Sequence, residues 1–189
     1  TSKSTFICFP EIILFVFFFL TSHLKILTMT QPMIGNYGVP DRKVIDEFGL
    51  PAYFESKKIH PRGLIVQDYS HHYSHWNDAS SLGDWLKEEG VAGLSGIDTR
   101  MLTKKIRETG ALLGRIEVDT SAPDPDFSQM TNPNLIHLVN EVSTKETVVY
   151  GKGNPLKVIA VDGGMKYNII RQLVKRGAEL TVVPWNHPF

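Results

Sequence analysis

Lys157 to Trp185 reads KVIAVDGGMKYNIIRQLVKRGAELTVVPW, and this stretch decides the fold. Val158, Ile159, Ala160 and Val161 form a short unbroken apolar run, the pattern of a strand buried on both faces. Asp162, Gly163 and Gly164 follow as a tight turn. Ile169, Ile170, Leu173 and Val174 then recur at helical spacing, and Gly177 stops the helix. Leu180 to Val183 begins a second apolar run. Strand, turn, helix and strand make a βαβ crossover, so the fold class is α/β and a parallel sheet opens here. Two parallel strands do not close a core, so this unit is expected to be the start of a larger domain.

Composition narrows the function classes. The 189 residues are 42% hydrophobic and 21% charged, as in an ordinary globular protein. Lys and Arg number 20, as do Asp and Glu, so no net charge draws the chain to nucleic acid or an anionic membrane. Cys8 is the one cysteine, which excludes an intrachain disulfide framework and a multi-cysteine zinc site.

Residues 1–25 differ in texture from the rest. Ile12 to Leu20, IILFVFFFL, is unbroken and apolar. As a helix it would reach about 14 Å, short of the roughly 30 Å of a hydrocarbon core. Lys3 ahead of it resembles a signal-peptide layout, but no small-residue cleavage site follows. Residues 1–25 hold no arginine, against a mitochondrial transit peptide. Three readings stay open: a non-native leader, a signal or anchor, or a core strand.

Between this leader and the βαβ unit the pattern predicts a small α/β domain over 26–118. ILTMTQPMIGNYGVPD at 26–41 is a short strand followed by loop-forming residues. Asp46 to Ser56 is expected to form a short helix burying Phe48, Leu50, Tyr53 and Phe54. Gly63 to Tyr69 is rich in branched residues and predicts a strand. Ser81 with Asp84 at the N3 position looks like a capping box, followed by an apolar stripe of Leu82, Trp85 and Leu86 and a stop at Gly90. Val91 to Ile97 predicts a strand. Asp98 or Thr99 then caps TRMLTKKIRET, which buries Leu102 and Ile106 and ends at Gly110. Leu112 to Val118 predicts another strand. Residues 119–156 read as linker and lead-in, with Pro123, Pro125 and Pro133 among Asp, Ser and Asn. Residues 157–189 begin the second domain.

Few residues carry a chemical signal by spacing alone. His71 and His75 would share a face of a helix, with His72 beside them, but no acidic or cysteine partner sits at matching spacing. A surface loop accounts for all three, and no metal site is expected. Trp76 is expected as a packing anchor. Asp162-Gly163-Gly164-Met165-Lys166 lies at the carboxyl end of a strand, where open α/β sheets bind ligands. It has neither GxGxxG nor GxxxxGK[ST], so a phosphate cradle is not indicated. By spacing, Asp162 is a helix cap, Lys166 can reach a cleft, and Asn168 and Arg171 are helix-surface polar residues. No GxSxG elbow is present, and Cys8 is far from any His–acid pairing.

Three stretches together carry a resemblance: ILTMTQPMIGNYGVPD at 26–41, GIDTRMLTKKIRETGALLG at 96–114, and EVSTKETVVYGKGNPLKVIAVDGGMKYNIIRQLVKRGAELTVVPWNHPF at 141–189. The chain resembles the glutaminase-side, small-subunit region of carbamoyl-phosphate synthetases of animal type. The resemblance implies a small-chain N-terminal domain followed by the first βαβ unit of a truncated class I glutamine amidotransferase domain. It implies part of a ligase that makes carbamoyl phosphate from bicarbonate, ATP and ammonia, the ammonia being free or drawn from glutamine. Such enzymes serve pyrimidine and arginine biosynthesis and the urea cycle, in mitochondria or cytoplasm. The family's Cys-His-Glu triad would lie past Phe189, so no catalytic residue is expected in the chain, whose role would be docking on the synthetase part. ATP and Mg would belong to that part, and no cofactor to this chain. Neither nucleic acid nor a membrane is an implied partner. A free-standing module that regulates a synthetase, or a membrane-anchored protein, are the alternatives. By motif, Asp98, Thr99, Arg100, Asp162, Gly164, Asn168 and Arg171 carry over, and Lys166 is the candidate for proximity to glutamine. Residues 1–25 replace the family's Gly-Tyr-Pro-Glu segment and a glutamine-binding serine. Gly163 stands where a larger residue is usual.

Overall fold

The computed structural model describes residues 25–110, 112–116, 132 and 135–189, together with the backbone of 12–16. In chain order the strands are β1 (Ile12–Val16), β2 (Ile26–Thr28), β3 (Met33–Ile34), β4 (Gly63–Ile65), β5 (Asp68–Tyr69), β6 (Ala92–Leu94), β7 (Val148–Tyr150), β8 (Leu156–Asp162) and β9 (Ala178–Pro184). The helices are α1 (Leu82–Glu88), α2 (Thr99–Thr109), α3 (Leu138–Val142) and α4 (Tyr167–Lys175). Among the described residues, 12–16, 45–56 and 137–189 make one compact unit, and 25–44 and 57–136 make another.

The first unit is built on the βαβ crossover that its sequence predicts. β8 and β9 run parallel from Leu156↔Ala178 to Asp162↔Pro184, and α4 joins them. Val158, Ala160, Leu180 and Val182 are buried beneath Ile170, Met165 and Tyr167, with Ile169, Leu173 and Val174 packed around them. Gly177, at φ +83°, turns the chain from α4 into β9 in a conformation that a side chain disfavours. Two further strands complete a sheet of order β1-β8-β9-β7. β7 pairs antiparallel with β9, and three residues were too short a run to stand out in the sequence. β1 pairs parallel with β8, from Ile12↔Val158 to Val16↔Asp162. Of the three readings of the hydrophobic leader, the backbone of 12–16 makes the strand; the rest of it, to residue 24, lies outside the described residues. Among the described residues no helix is long and apolar enough to cross a membrane.

The helix expected over 46–56 does not form. The Asp46 carboxylate accepts hydrogen bonds from the N–H groups of Phe48 and Leu50 at 2.9 and 3.0 Å, and the Asp46 N–H donates to the Leu50 carbonyl at 2.8 Å. This closed turn, with Gly49 at φ +77°, competes with helical bonding and wins. Leu50 alone of the four expected core residues is fully buried, Phe48 packs beside it, and Tyr53 is exposed. These residues also pack with 137–189 rather than with the domain their sequence position implied.

The second unit holds a parallel sheet of order β2-β4-β6 and a small parallel pair, β3-β5. The single strand expected over 63–69 is two, because the chain leaves β2 and β6 after Ile65 and pairs with β3 from Asp68. The strand expected over 91–97 shortens to β6. Residues 112–116 join no sheet; Ile116 packs over Gly63, where a Cβ would meet it at 2.8 Å. Residues 117–118 of that expected strand, and the proline-rich 119–134 apart from Asn132, lie outside the described residues. Both caps form as expected. The Ser81 hydroxyl accepts from the Asp84 N–H at 3.0 Å, and the Asp98 carboxylate accepts from the Met101 N–H at 2.8 Å. The architecture is α/β, with a mostly parallel sheet edged by the antiparallel β7 in the first unit and parallel sheets in the second.

Candidate functional site at the carboxyl end of β8

Asp162 closes β8 and, among the described residues of this unit, is the buried charge, with 9% of its surface exposed. One carboxylate oxygen accepts from the N–H groups of Gly164 and Met165, each at 2.8 Å, and the other from the Thr144 N–H at 2.7 Å. Three main-chain donors therefore satisfy a group that would otherwise be costly to bury. The turn needs Gly164 at φ +98°, a conformation in which a side chain is strained. Asp162 thus fixes the turn after β8 and ties it to the segment behind α3. Its charge also acts on the neighbouring phenols. Burial pushes the Tyr167 hydroxyl up to about 12, with the charges of Tyr150 and Asp162 adding and Arg171 opposing. Tyr150 is raised by burial first and then by Asp162.

The carboxyl end of β9 is covered by the same segment. The Ser143 hydroxyl accepts from the Trp185 N–H at 3.0 Å, and the Trp185 indole N–H donates to the Asn140 side-chain oxygen at 3.4 Å. His137 meets the Trp185 ring edge-on at 4.5 Å between centroids. Residues 137–144 therefore lie over the crest where a parallel sheet ordinarily receives its ligand.

Lys166 and Asn168 flank the start of α4. Lys166 is the N-cap residue, half-buried, and its side chain makes no capping hydrogen bond. The Tyr167 N–H donates to the Glu55 carbonyl at 3.1 Å, and the Asn168 N–H donates to the Glu55 carboxylate at 2.9 Å. Arg171, one turn on, is held by the same 45–56 segment. Its Nε donates to Asp46 at 2.7 Å, and one Nη donates to the carbonyls of Pro51 and Phe54 at 2.5 and 3.2 Å. Burial pushes the Asp46 carboxyl up. Hydrogen bonds from Arg171, Leu50 and Phe48, with the charge of Arg171, outweigh it and leave the group below its ordinary value.

Asp162, Gly164, Lys166, Asn168 and Arg171, grouped in the sequence by motif, all lie in β8, α4 and the turn between them. Sequence spacing missed Ser143, Thr144, Asp46 and Glu55, which lie 18 to 125 residues from the groups they bind. No local pattern signals such pairs. It also took Arg171 for a surface residue, whereas 11% of its side chain is exposed. The other motif residues lie in the second unit. Asp98 caps α2, Thr99 is fully buried with its hydroxyl unpartnered, and Arg100 is exposed.

The three histidines enter a surface loop. His71 contacts the Tyr69 ring, His75 contacts the Tyr37 ring, and the Asn77 N–H donates to the His75 ring nitrogen at 3.4 Å. Among the described residues no group of three His, Cys, Asp or Glu is placed to hold a metal ion. Trp76, expected as a packing anchor, is 81% exposed, because the loop carries it outward beside His75.

Comparison with known proteins gives one consistent family. Residues 21–116 match the carbamoyl-phosphate synthase small chain, CPSase domain. The chain is 56% identical over 168 residues to the mitochondrial, ammonia-type carbamoyl-phosphate synthase of Aquarana catesbeiana, covering 88% of this chain and 11% of that protein. It is 51% identical over 165 residues to the multifunctional protein CAD of Squalus acanthias, covering 87% of this chain and 7% of that one. The arginine-specific small chain of carbamoyl phosphate synthase from Yarrowia lipolytica is 46% identical over 168 residues, covering 87% of this chain and 38% of that one. The chain therefore spans only about a tenth of the longer relatives it matches.

Proposed function

The chain belongs to the carbamoyl-phosphate synthase small-chain family, and from that premise we propose that it serves such an enzyme by docking rather than by catalysis. The enzyme would make carbamoyl phosphate from bicarbonate, ATP and ammonia. ATP and Mg would act on the synthetase part, which is the proposed partner. Its proposed setting is mitochondrial or cytoplasmic. The second unit, which the family match covers, would be the docking surface. The first unit would supply the opening strands of the glutamine-handling domain, with Lys166 nearest the glutamine.

One observation carries the non-catalytic half of this reading. Asp162, the buried carboxylate at the ligand-binding end of the sheet, gives three of its roughly four lone-pair sites to the main-chain N–H groups of Thr144, Gly164 and Met165. It is thereby a poor general base, since a base needs a lone pair directed at substrate. The sequence has one cysteine, Cys8, remote in the chain from this turn.

The test uses the purified full chain and a synthetase part stripped of its own small-chain region. Binding at roughly micromolar concentration or tighter is expected. Its absence there overturns the docking role. Glutamine hydrolysis by the chain alone would overturn the non-catalytic role.

A further inference from the structure

We infer that residues 45–56 are a strap that sets the first turn of α4, with Arg171 as its positioning residue. The inference stands apart from the docking proposal and rests on the first unit alone. A helix leaves four N–H groups without partners at its start and gathers positive charge there. α4 partners the Ile169 N–H itself, with the Lys166 carbonyl at 3.0 Å, but not those of Tyr167 and Asn168. Its N-cap residue, Lys166, makes no side-chain capping bond, and its first turn holds no acidic residue. Glu55 supplies both from outside, its carbonyl to Tyr167 and its carboxylate to Asn168.

Glu55 would not hold that place by itself, because 43% of its side chain is exposed and an exposed carboxylate is loosely held. Arg171 supplies the grip. Its guanidinium reaches Asp46 at the beginning of the strap, the Pro51 and Phe54 carbonyls along it, and the Glu55 carboxylate at 3.6 Å near its end. A planar fork with five donors suits four acceptors spread over ten residues; a single ammonium does not. Leu50 fixes the middle of the strap in the core and closes the Asp46 turn through its backbone, but that turn ends five residues short of Glu55.

The strap enters from Val44 and leaves at Lys57, and both of those residues belong to the other unit. The start of α4, beside the Asp162 turn, is therefore set by a segment spliced into the chain of its neighbour. A shift of either strap end has a direct route to the Tyr167 and Asn168 amides, through Glu55 and the Arg171 fork.

Hydrogen exchange of the full chain, read at single amides, tests this. In Arg171→Met, exchange at Tyr167 and Asn168 should rise about ten- to a hundredfold, the loss expected when bonds to a charged group go. The Leu180 and Val182 amides, in the core strand, should keep their protection, and Arg171→Lys should fall between wild type and Arg171→Met. Unchanged exchange at Tyr167 and Asn168 in Arg171→Met overturns the inference and leaves Leu50 as the holder of the loop. If Arg171→Met also opens Leu180 and Val182, Glu55→Ala decides. It keeps the carbonyl bond to Tyr167 and removes the carboxylate, so faster exchange at Asn168 alone supports the strap, and none overturns it.

Discussion

At the residue scale the decisive group is Asp162. Its two oxygens accept three main-chain N–H groups, an arrangement an amide cannot reproduce. In Asp162→Asn one oxygen becomes an NH2 group facing an N–H, either that of Thr144 or those of the turn. The expected loss is about 1–3 kcal/mol, read by urea unfolding of the two proteins side by side. Gly164→Ala probes the same turn from the backbone. At φ +98° an alanine is strained, and a loss of about 1–3 kcal/mol is expected in the same measurement. Unaltered midpoints in both variants would mean that the turn adapts and that Asp162 is not its keystone.

At the element scale, the 45–56 segment shows what a sequence conceals. Its apolar residues sit at spacings a helix would use, yet Leu50 is buried while Tyr53 is exposed. Leu50→Ala should therefore cost about 2–5 kcal/mol, and Tyr53→Ala less than about 1 kcal/mol. Equal losses, measured by thermal unfolding, would restore the amphipathic helix. The βαβ unit was legible because its signals are local: an apolar run, a helical repeat and a glycine stop, all within 29 residues of chain, and α1 and α2 were legible through Ser81 and Asp98 for the same reason. Lost from view were interactions that depend on distant pairing. The Asp46 side chain redirects its own backbone, and Arg171 meets Asp46 across 125 residues of chain. β7 is named as a strand only by β9 beside it. At the site, the βαβ residues are neighbours in the chain, whereas Thr144, Ser143 and Glu55, which complete hydrogen bonds there, come from elsewhere and went unseen.

At the scale of the whole molecule, acid and alkali should act chiefly through the first unit. Asp46 is held below its ordinary value near 3.8, so its contribution is present above that value and is lost as the pH falls through the lowered one. Asp46→Asn should flatten the decline in stability below about pH 4, as followed by circular dichroism. Tyr167 has the opposite sign. Its hydroxyl is raised from 10.0 to about 12, so it stabilises fully below pH 10 and ceases to do so as pH climbs toward 12. Tyr167→Phe should remove that alkaline decline. The cover of Trp185 by His137 and Asn140 makes these measurements separable. Of the three tryptophans, Trp76 and Trp85 lie in the second unit and Trp185 in the first. With Trp76 and Trp85 replaced by phenylalanine, the remaining indole becomes an optical label for one unit, and its emission colour follows that unit's opening while the other stays dark.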